Sequence, residues 1–427
     1  MNSDAVDHNS ESTFHAVNRM PVALLPQRPH ILIGVTSSQT CVILPDRLRA
    51  FRDGGFHVSL LSAPGELLNR TGQDASVETF AISMQRGISP ASDCIALFRI
   101  WRLIRRLKPD IVEFSTPKAG LLGGIAARLC GVPARIYLLR GLKLETAEGL
   151  KRIFLLGAEW MSARCAHQVI CNSRSLLKRS MEYGIASQSK LMILGEGSSN
   201  GVDTQRFSPG SSGIAEQLGI EKGVPVIGFV GRLTHDKGLP DLLDAFRLLL
   251  HREPNAYLLL VGWFDAAEDA LDRRLRERIE SHPQVIHTGF VQDTSAYYRA
   301  MDVLVLPSWR EGFPNAVLEA AASGVPVVAT HCTGSCDAVV PGITGLLIPP
   351  GRPSAICEAL LKILGDPQLG RAMATAARAW VIKNYESSRV LGDTVAFYSA
   401  QVQQKAAPAR VSSRRIAQST TGLSVSQ

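Results

Sequence analysis

Short apolar runs recur along the chain, and longer stretches with apolar residues at helical spacing lie between them. The runs fall at 30–35, 56–61, 110–114, 134–139, 167–171 and 190–194. Between them the 3.6-residue period predicts helices at 91–107, 119–130, 146–165 and 174–183. A further helix follows the polar loop 36–40 and runs to Arg52, ended by Gly54 and Gly55. Two loop-like stretches, 200–203 and 207–212, interrupt the pattern. It then restarts, with strands at 224–230, 256–261, 285–288, 303–306 and 325–330 and helices at 240–250, 267–281 and 294–301. Continuous apolar strands alternating with helices argue parallel sheets covered on both faces. The expected fold class is therefore α/β, with two doubly wound, Rossmann-like domains. The two halves share a period and no sequence repeat.

Ligands of such sheets bind beyond the carboxyl ends of the strands. The most informative segment there is 307–326, after the run 302–306. It reads as strand, tight Gly312-Phe313-Pro314-Asn315 loop, then helix over 316–323. Pro314 suits a first helical turn and Gly324 a stop just past the last one. A helix N-terminus offers free N–H groups and partial positive charge, which suits phosphate. Glu311 sits at that rim, placed to accept from sugar hydroxyls. Glu319 lies about 9 Å along the axis if the helix starts near Phe313. Its carboxylate can take both hydroxyls of a ribose. A sugar, a diphosphate and a ribose together describe a nucleotide sugar. The bland alternative is two solvated carboxylates flanking an ordinary helix.

The run Glu-Gly-Phe-Pro-Asn-Ala-Val-Leu-Glu-Ala, with Glu311 and Glu319 eight apart, resembles the signature of retaining glycosyltransferases of family 4. The resemblance extends through Gly231-Arg232-Leu233, Lys237-Gly238, Gly289-Phe290-Val291 and Gly342-x-Thr344-Gly345-Leu346-Leu347, and covers about 30–400. It implies the GT-B fold, in which two Rossmann-like domains face a cleft. The boundaries would be 28–205 for an acceptor-binding domain and 206–386 for a nucleotide-sugar-binding domain. A helix at 387–404 would cross back to the first domain, and 1–27 and 405–427 would be disordered tails. The catalytic residues implied are Arg232, Lys237 and Glu311. Arg232 and Lys237 would face the leaving diphosphate, where fixed cations stabilise growing charge. Donor contacts would come from Gly231, Gly262, Phe290, Val291, Gly312, Phe313, Asn315 and Glu319. For Gly262 a tight turn explains the residue equally well. The runs 116–123 and 137–145 look like the subgroup that builds bacterial surface polysaccharides and lipid-linked oligosaccharides. Lys118 and Arg140 are then candidate acceptor-phosphate contacts, or else a helix-start lysine and an exposed arginine. His235 reads as exposed. Glu311 fits a nucleophile in a double displacement. The family is instead usually given a front-face reaction assisted by the leaving phosphate.

Composition narrows the setting. No apolar run reaches the ~18 residues of a spanning helix. The first 27 residues lack a compact apolar segment, so no secretory signal is expected. The eight cysteines lack paired metal spacing, which points to reduced thiols and no metal. There is no GxxxxGK[ST] and no HExxH, so P-loop and zincin chemistry are excluded. Charge is uneven. Positions 99–190 hold 17 Lys and Arg against 6 Asp and Glu, an excess of +11 that leaves −3 for the rest of the +8 chain. An anionic membrane surface or a phosphate-bearing acceptor fits this excess better than nucleic acid. The segment 97–107, with four Arg among Leu, Phe, Ile and Trp, suits either an interfacial helix or a core-packing helix with a cationic outer face. The expectation is a retaining glycosyltransferase with no cofactor. It would move a sugar, expected from a UDP donor, to a polyprenyl-diphosphate-linked saccharide at the cytoplasmic face of the plasma membrane. The alternatives are a GT-B sugar-nucleotide epimerase and a non-catalytic sugar-nucleotide-binding subunit.

Overall fold

The computed structural model describes residues 28–85, 87, 89–265 and 270–406. The expected tails, 1–27 and 405–427, lie outside them, except that 405 and 406 end the last helix. The first half runs β1 (His30–Gly34), α1 (Pro45–Asp53), β2 (His57–Ser62), α2 (Glu66–Ala75), β3 (Glu78–Ala81) and α3 (Pro90–Leu107). It continues with β4 (Ile111–Ser115), α4 (Pro117–Leu129), β5 (Ala134–Leu139), α5 (Gly149–Cys165), β6 (Gln168–Cys171), α6 (Arg174–Glu182) and β7 (Leu191–Met192). Its strands form one parallel sheet in the order β3-β2-β1-β4-β5-β6-β7.

The second half runs α7 (Ile214–Gln217), β8 (Val226–Val230), α8 (Leu239–Leu249), β9 (Tyr257–Val261), α9 (Arg273–Ser281), β10 (Val285–His287), α10 (Ser295–Tyr298) and β11 (Val303–Leu306). Then come α11 (Asn315–Ala322), β12 (Val327–Thr330), α12 (Ser335–Ala338), β13 (Leu346–Ile348), α13 (Pro353–Gly365), α14 (Pro367–Tyr385) and α15 (Ser387–Ala406). The sheet order is β10-β9-β8-β11-β12-β13, again parallel. The central strands are buried on both faces, which is why they read as unbroken apolar runs.

Several boundaries differ from the sequence pattern. The helix expected at 267–281 starts at Arg273, because Asp272 caps it and accepts from the Leu275 amide at 2.8 Å. The helix expected at 294–301 is the single turn α10. The one expected at 146–165 starts at Gly149, which has φ +53°. Helix α11 starts at Asn315, so Pro314 stands just outside the helix, at the N-cap position, instead of in its first turn. Gly324 does follow that helix in the left-handed region, with φ +76°. In α3 the residues Ile100, Leu103 and Ile104 are buried while Arg99, Arg102, Arg105 and Arg106 are exposed. Most of the apolar stripe of 97–107 is therefore core-packed, and its outer face carries the four Arg together with exposed Phe98.

The chain passes between the halves twice, and the two crossings are bonded to each other. The Val202 amide donates to the Tyr385 carbonyl at 2.8 Å, and the Ser387 amide donates to the Val202 carbonyl at 2.9 Å. Helix α15 then packs on α1 of the first half. Its Tyr398 is fully buried, 4.9 Å ring to ring from Phe51.

Candidate active site

In the second sheet β8 lies beside β11, so the loops after these strands meet at one edge. Lys237 ends a short 3-10 turn, His235–Lys237, and forms an ion pair with Glu311. Ser308 donates to the same Glu311 oxygen at 2.7 Å. Arg310 pairs with Asp236, and the Trp309 amide donates to the Asp236 carbonyl at 2.9 Å, which fastens the two loops together. Arg232 is held by Asp265, 2.6 Å from Nη1 to Oδ2, and that carboxylate is buried. His235 is exposed. Two cations and a carboxylate thus share one rim, each with a fixed partner. Such fixed charge can stabilise a departing diphosphate without reorganising.

Helix α11 runs away from this rim, and no side chain caps its start. Glu319, one turn in, accepts from the Tyr298 hydroxyl at 2.8 Å. Burial pushes its carboxyl up, and the Tyr298 hydrogen bond only partly offsets this. The Phe313 side chain packs on Tyr385, ring centroids 5.1 Å apart, so only its backbone is available to a ligand. Asn315 is half-buried at the first helical position. Gly231 donates its amide to Val261 at 3.0 Å, and Gly262 donates to Gly289 at 3.1 Å. A Cβ on Gly262 would stand 1.8 Å from the Gly231 carbonyl oxygen, so backbone crowding accounts for this glycine without any ligand. Phe290 is exposed, edge-on to Trp263 at 5.4 Å, and Val291 is half-buried.

The first half closes on this rim through the loop after β5. A Cβ on Gly312 would fall 1.7 Å from the Arg140 carbonyl oxygen, so the two loops touch backbone to backbone. Glu145 accepts from Thr333 at 2.6 Å, Arg310 donates to Thr146 at 2.9 Å, and the Ser175 amide donates to Asp337 at 3.1 Å. Arg140 is not an exposed arginine. Its Nη1 donates to Ser199 at 2.6 Å, while its Nε and Nη2 are buried without a partner. Desolvation, reinforced by the neighbouring Arg47, pulls it down to about 10. Lys118 lies elsewhere, bonded to Asp93 at 2.7 and 2.9 Å and to the Gly87 carbonyl. All three of its donors have protein partners.

Beneath Arg140 lies a buried cluster that the sequence did not announce. Glu113 accepts from Arg47 and from Tyr398 of α15. Burial pushes the Glu113 carboxyl up, but Arg47 outweighs this and the net shift is down. Asp265, Tyr298, Trp263 and Thr333 were also missed. Each is a single residue whose partner is remote in sequence, so no local pattern marks it. Among the described residues no group of His, Cys, Asp and Glu is arranged to hold a metal ion.

Comparison with known proteins agrees with this geometry. A family model for glycosyl transferases group 1 matches residues 224–366, and one for a glycosyl transferase 4-like domain matches 46–197. The chain is similar to the capsular polysaccharide biosynthesis glycosyltransferase CapM of Staphylococcus aureus, 32% identical over 371 residues that span 87% of this chain and 97% of CapM. It is also similar to the Escherichia coli UDP-Gal:alpha-D-GlcNAc-diphosphoundecaprenol alpha-1,3-galactosyltransferase, at 27% identity, with 69% of this chain and 77% of that protein covered. The fold matches Anabaena HepE, solved with UDP and glucose, with a TM-score of 0.73 at 20% identity over 87% of this chain and 100% of that one. Two parallel sheets joined by two crossings, with a cation–carboxylate rim between them, are the GT-B architecture. The chain belongs to the family 4 glycosyltransferases and is a glycosyltransferase.

Proposed function

We propose that this enzyme transfers a sugar from a UDP-sugar to a polyprenyl-diphosphate-linked saccharide, with retention at the anomeric carbon, in surface polysaccharide synthesis. The observation that carries this reading is the convergence of Lys237, Ser308 and Glu311 beside the uncapped start of α11. The helix amides and Lys237 receive the diphosphate. Arg232, steadied by Asp265, neutralises its second phosphate. Glu311 orients the sugar hydroxyls, and Glu319 takes the ribose. The Arg140 donors that lack protein partners suit an anionic phosphate on the acceptor side. No cofactor enters this scheme, since the cations are side chains. The lipid-linked acceptor and UDP donor of the E. coli relative, and the capsule role of CapM, favour this substrate class.

The test is release of UDP with and without a lipid-linked acceptor. Release that tracks a glycosylated product of unchanged anomeric configuration is expected. UDP release and donor scrambling without any acceptor would instead indicate an epimerase. An inverted product would overturn retention.

A further inference from the structure

Helix α5 carries apolar side chains on both of its faces. The face turned to the protein carries Leu155, Leu156, Ala163 and Cys165 together with Glu159 and Ser162, and Glu159 accepts from Tyr137 at 2.6 Å. The face turned to solvent carries Leu150, Ile153, Phe154, Trp160 and Met161, which are 86, 67, 53, 47 and 37% exposed. Their spacing of three, four, ten and eleven residues from Leu150, with Gly157 between, puts them on one stripe. Globular helices place such a stripe against the core. Here it is open, and a stretch this apolar on a soluble surface marks an interaction site.

The surroundings say what covers it. Lys151 and Arg164 accompany the stripe on α5 and are exposed, while the Arg152 guanidinium lies over the Tyr183 ring, 5.6 Å from its centroid. The α5 carboxylates are Glu148 at the N-cap and the buried Glu159. Helix α4 packs against both α5 and α3, so it carries the cationic outer face of α3 onto the same side of the sheet. At its end Arg128 donates to the Arg164 carbonyl at 3.1 Å, beside exposed Leu129. Apolar side chains ringed by Arg and Lys match an anionic bilayer surface, where the former enter the acyl boundary and the latter meet phosphates. A second copy of the chain is a poorer fit. A two-fold interface would set this basic patch against its own copy.

We infer that the solvent face of α5 is the membrane-docking surface of this enzyme, seated in the anionic leaflet with α3 as a cationic flank. Resting on the reading of a lipid-linked acceptor, this also fixes where that acceptor arrives. The loop that begins with Arg140 and holds Glu145 and Thr146, both bonded to the second half, runs straight into α5. Leu150 is four residues past Thr146. A lipid whose tail lies under α5 presents its diphosphate at the mouth of the cleft.

The test is flotation of the full chain with phosphatidylglycerol vesicles and with neutral vesicles. Wild type is compared with the double variant Ile153→Ser/Phe154→Ser. Both side chains face solvent, so thermal melting should be unchanged and loss of fold is not a route to loss of binding. The double variant is expected to bind the anionic vesicles at least about tenfold more weakly, since interfacial affinity follows buried apolar area. Neutral vesicles should bind wild type less well than anionic ones. Transfer to a short-chain, water-soluble acceptor should stay at the wild-type rate while transfer to vesicle-borne acceptor falls. Wild-type flotation of the double variant would overturn the assignment of α5. So would a wild type that ignores vesicles but forms a dimer in sedimentation that the double variant lacks. Absence of sugar transfer with flotation still dependent on 153 and 154 would leave the docking surface standing and remove the proposed reaction.

Discussion

Lys237 and Glu311 hold one another across the loops after two neighbouring strands, with Ser308 as the third member. If Lys237 meets the departing diphosphate, its charge counts most when the sugar–phosphate bond is stretched. Lys237→Ala is expected to lower turnover by about 10²–10³-fold, the scale for losing one preorganised donor. UDP release at saturating donor checks this, and full activity would remove Lys237 from the site. Glu319 should behave differently, because ribose contacts are the same before and during reaction. Glu319→Gln keeps an acceptor for Tyr298 yet should weaken UDP binding and leave turnover at saturation nearly unchanged. Titration with UDP alone decides it. The two glutamates were legible because they share one short segment with a recognisable loop between them. Asp265, which holds Arg232 from 33 residues away, was not, since its role exists only once β8 and β9 are side by side. Arg140 was legible as a residue, but its setting was left open between a phosphate contact and an exposed arginine, since nothing in Leu-Leu-Arg-Gly indicates that the chain will bury the guanidinium.

Among the elements, strands buried on both faces announced themselves as apolar runs. Edge strand β3, Glu-Thr-Phe-Ala, is half exposed and carries no such run, so it passed unseen. Helix α5 was found, but its open apolar stripe was invisible, because a helical period does not say which face turns inward. Its buried Glu159 gives a pH test. Burial raises this carboxyl to about 7, above its ordinary 4.5, while the Tyr137 hydrogen bond pulls weakly the other way. The folded state therefore keeps a proton that the unfolded chain gives up from about pH 4.5 onward. Stability from this group is complete below that pH and is lost as pH rises to about 7, a total on the order of 3 kcal/mol. Glu159→Gln should remove that loss, so the variant gains on wild type between pH 5 and 8. Urea unfolding of both proteins across this range checks it, and a constant difference would rule out the titration of Glu159. The variant should bind vesicles as wild type does.

At the scale of the molecule, the halves are joined by the crossings, by α15 and by the contacts at the rim. The alternation of strands and helices made two Rossmann-like halves legible; the return of α15 was expected only from the family resemblance. Its anchor, Tyr398 on the Arg47–Glu113 pair, shows why the return is firm. Tyr398→Phe strips one bond from a buried carboxylate and should cost about 1–3 kcal/mol. Chemical denaturation measures that, and an unchanged midpoint would show the hydroxyl to be idle. The bonded crossings have a mechanical consequence. Val202 is tied to both Tyr385 and Ser387, so the two strands of chain act as a single pivot, not as two independent tethers. A pivot forbids sliding, which would shear those backbone bonds, and leaves rotation as the way for the halves to part. Spin labels set across the rim should change separation as donor binds, while a pair astride the pivot keeps its spacing. In such a swing the Glu145–Thr333, Thr146–Arg310 and Ser175–Asp337 contacts are the latch to be released.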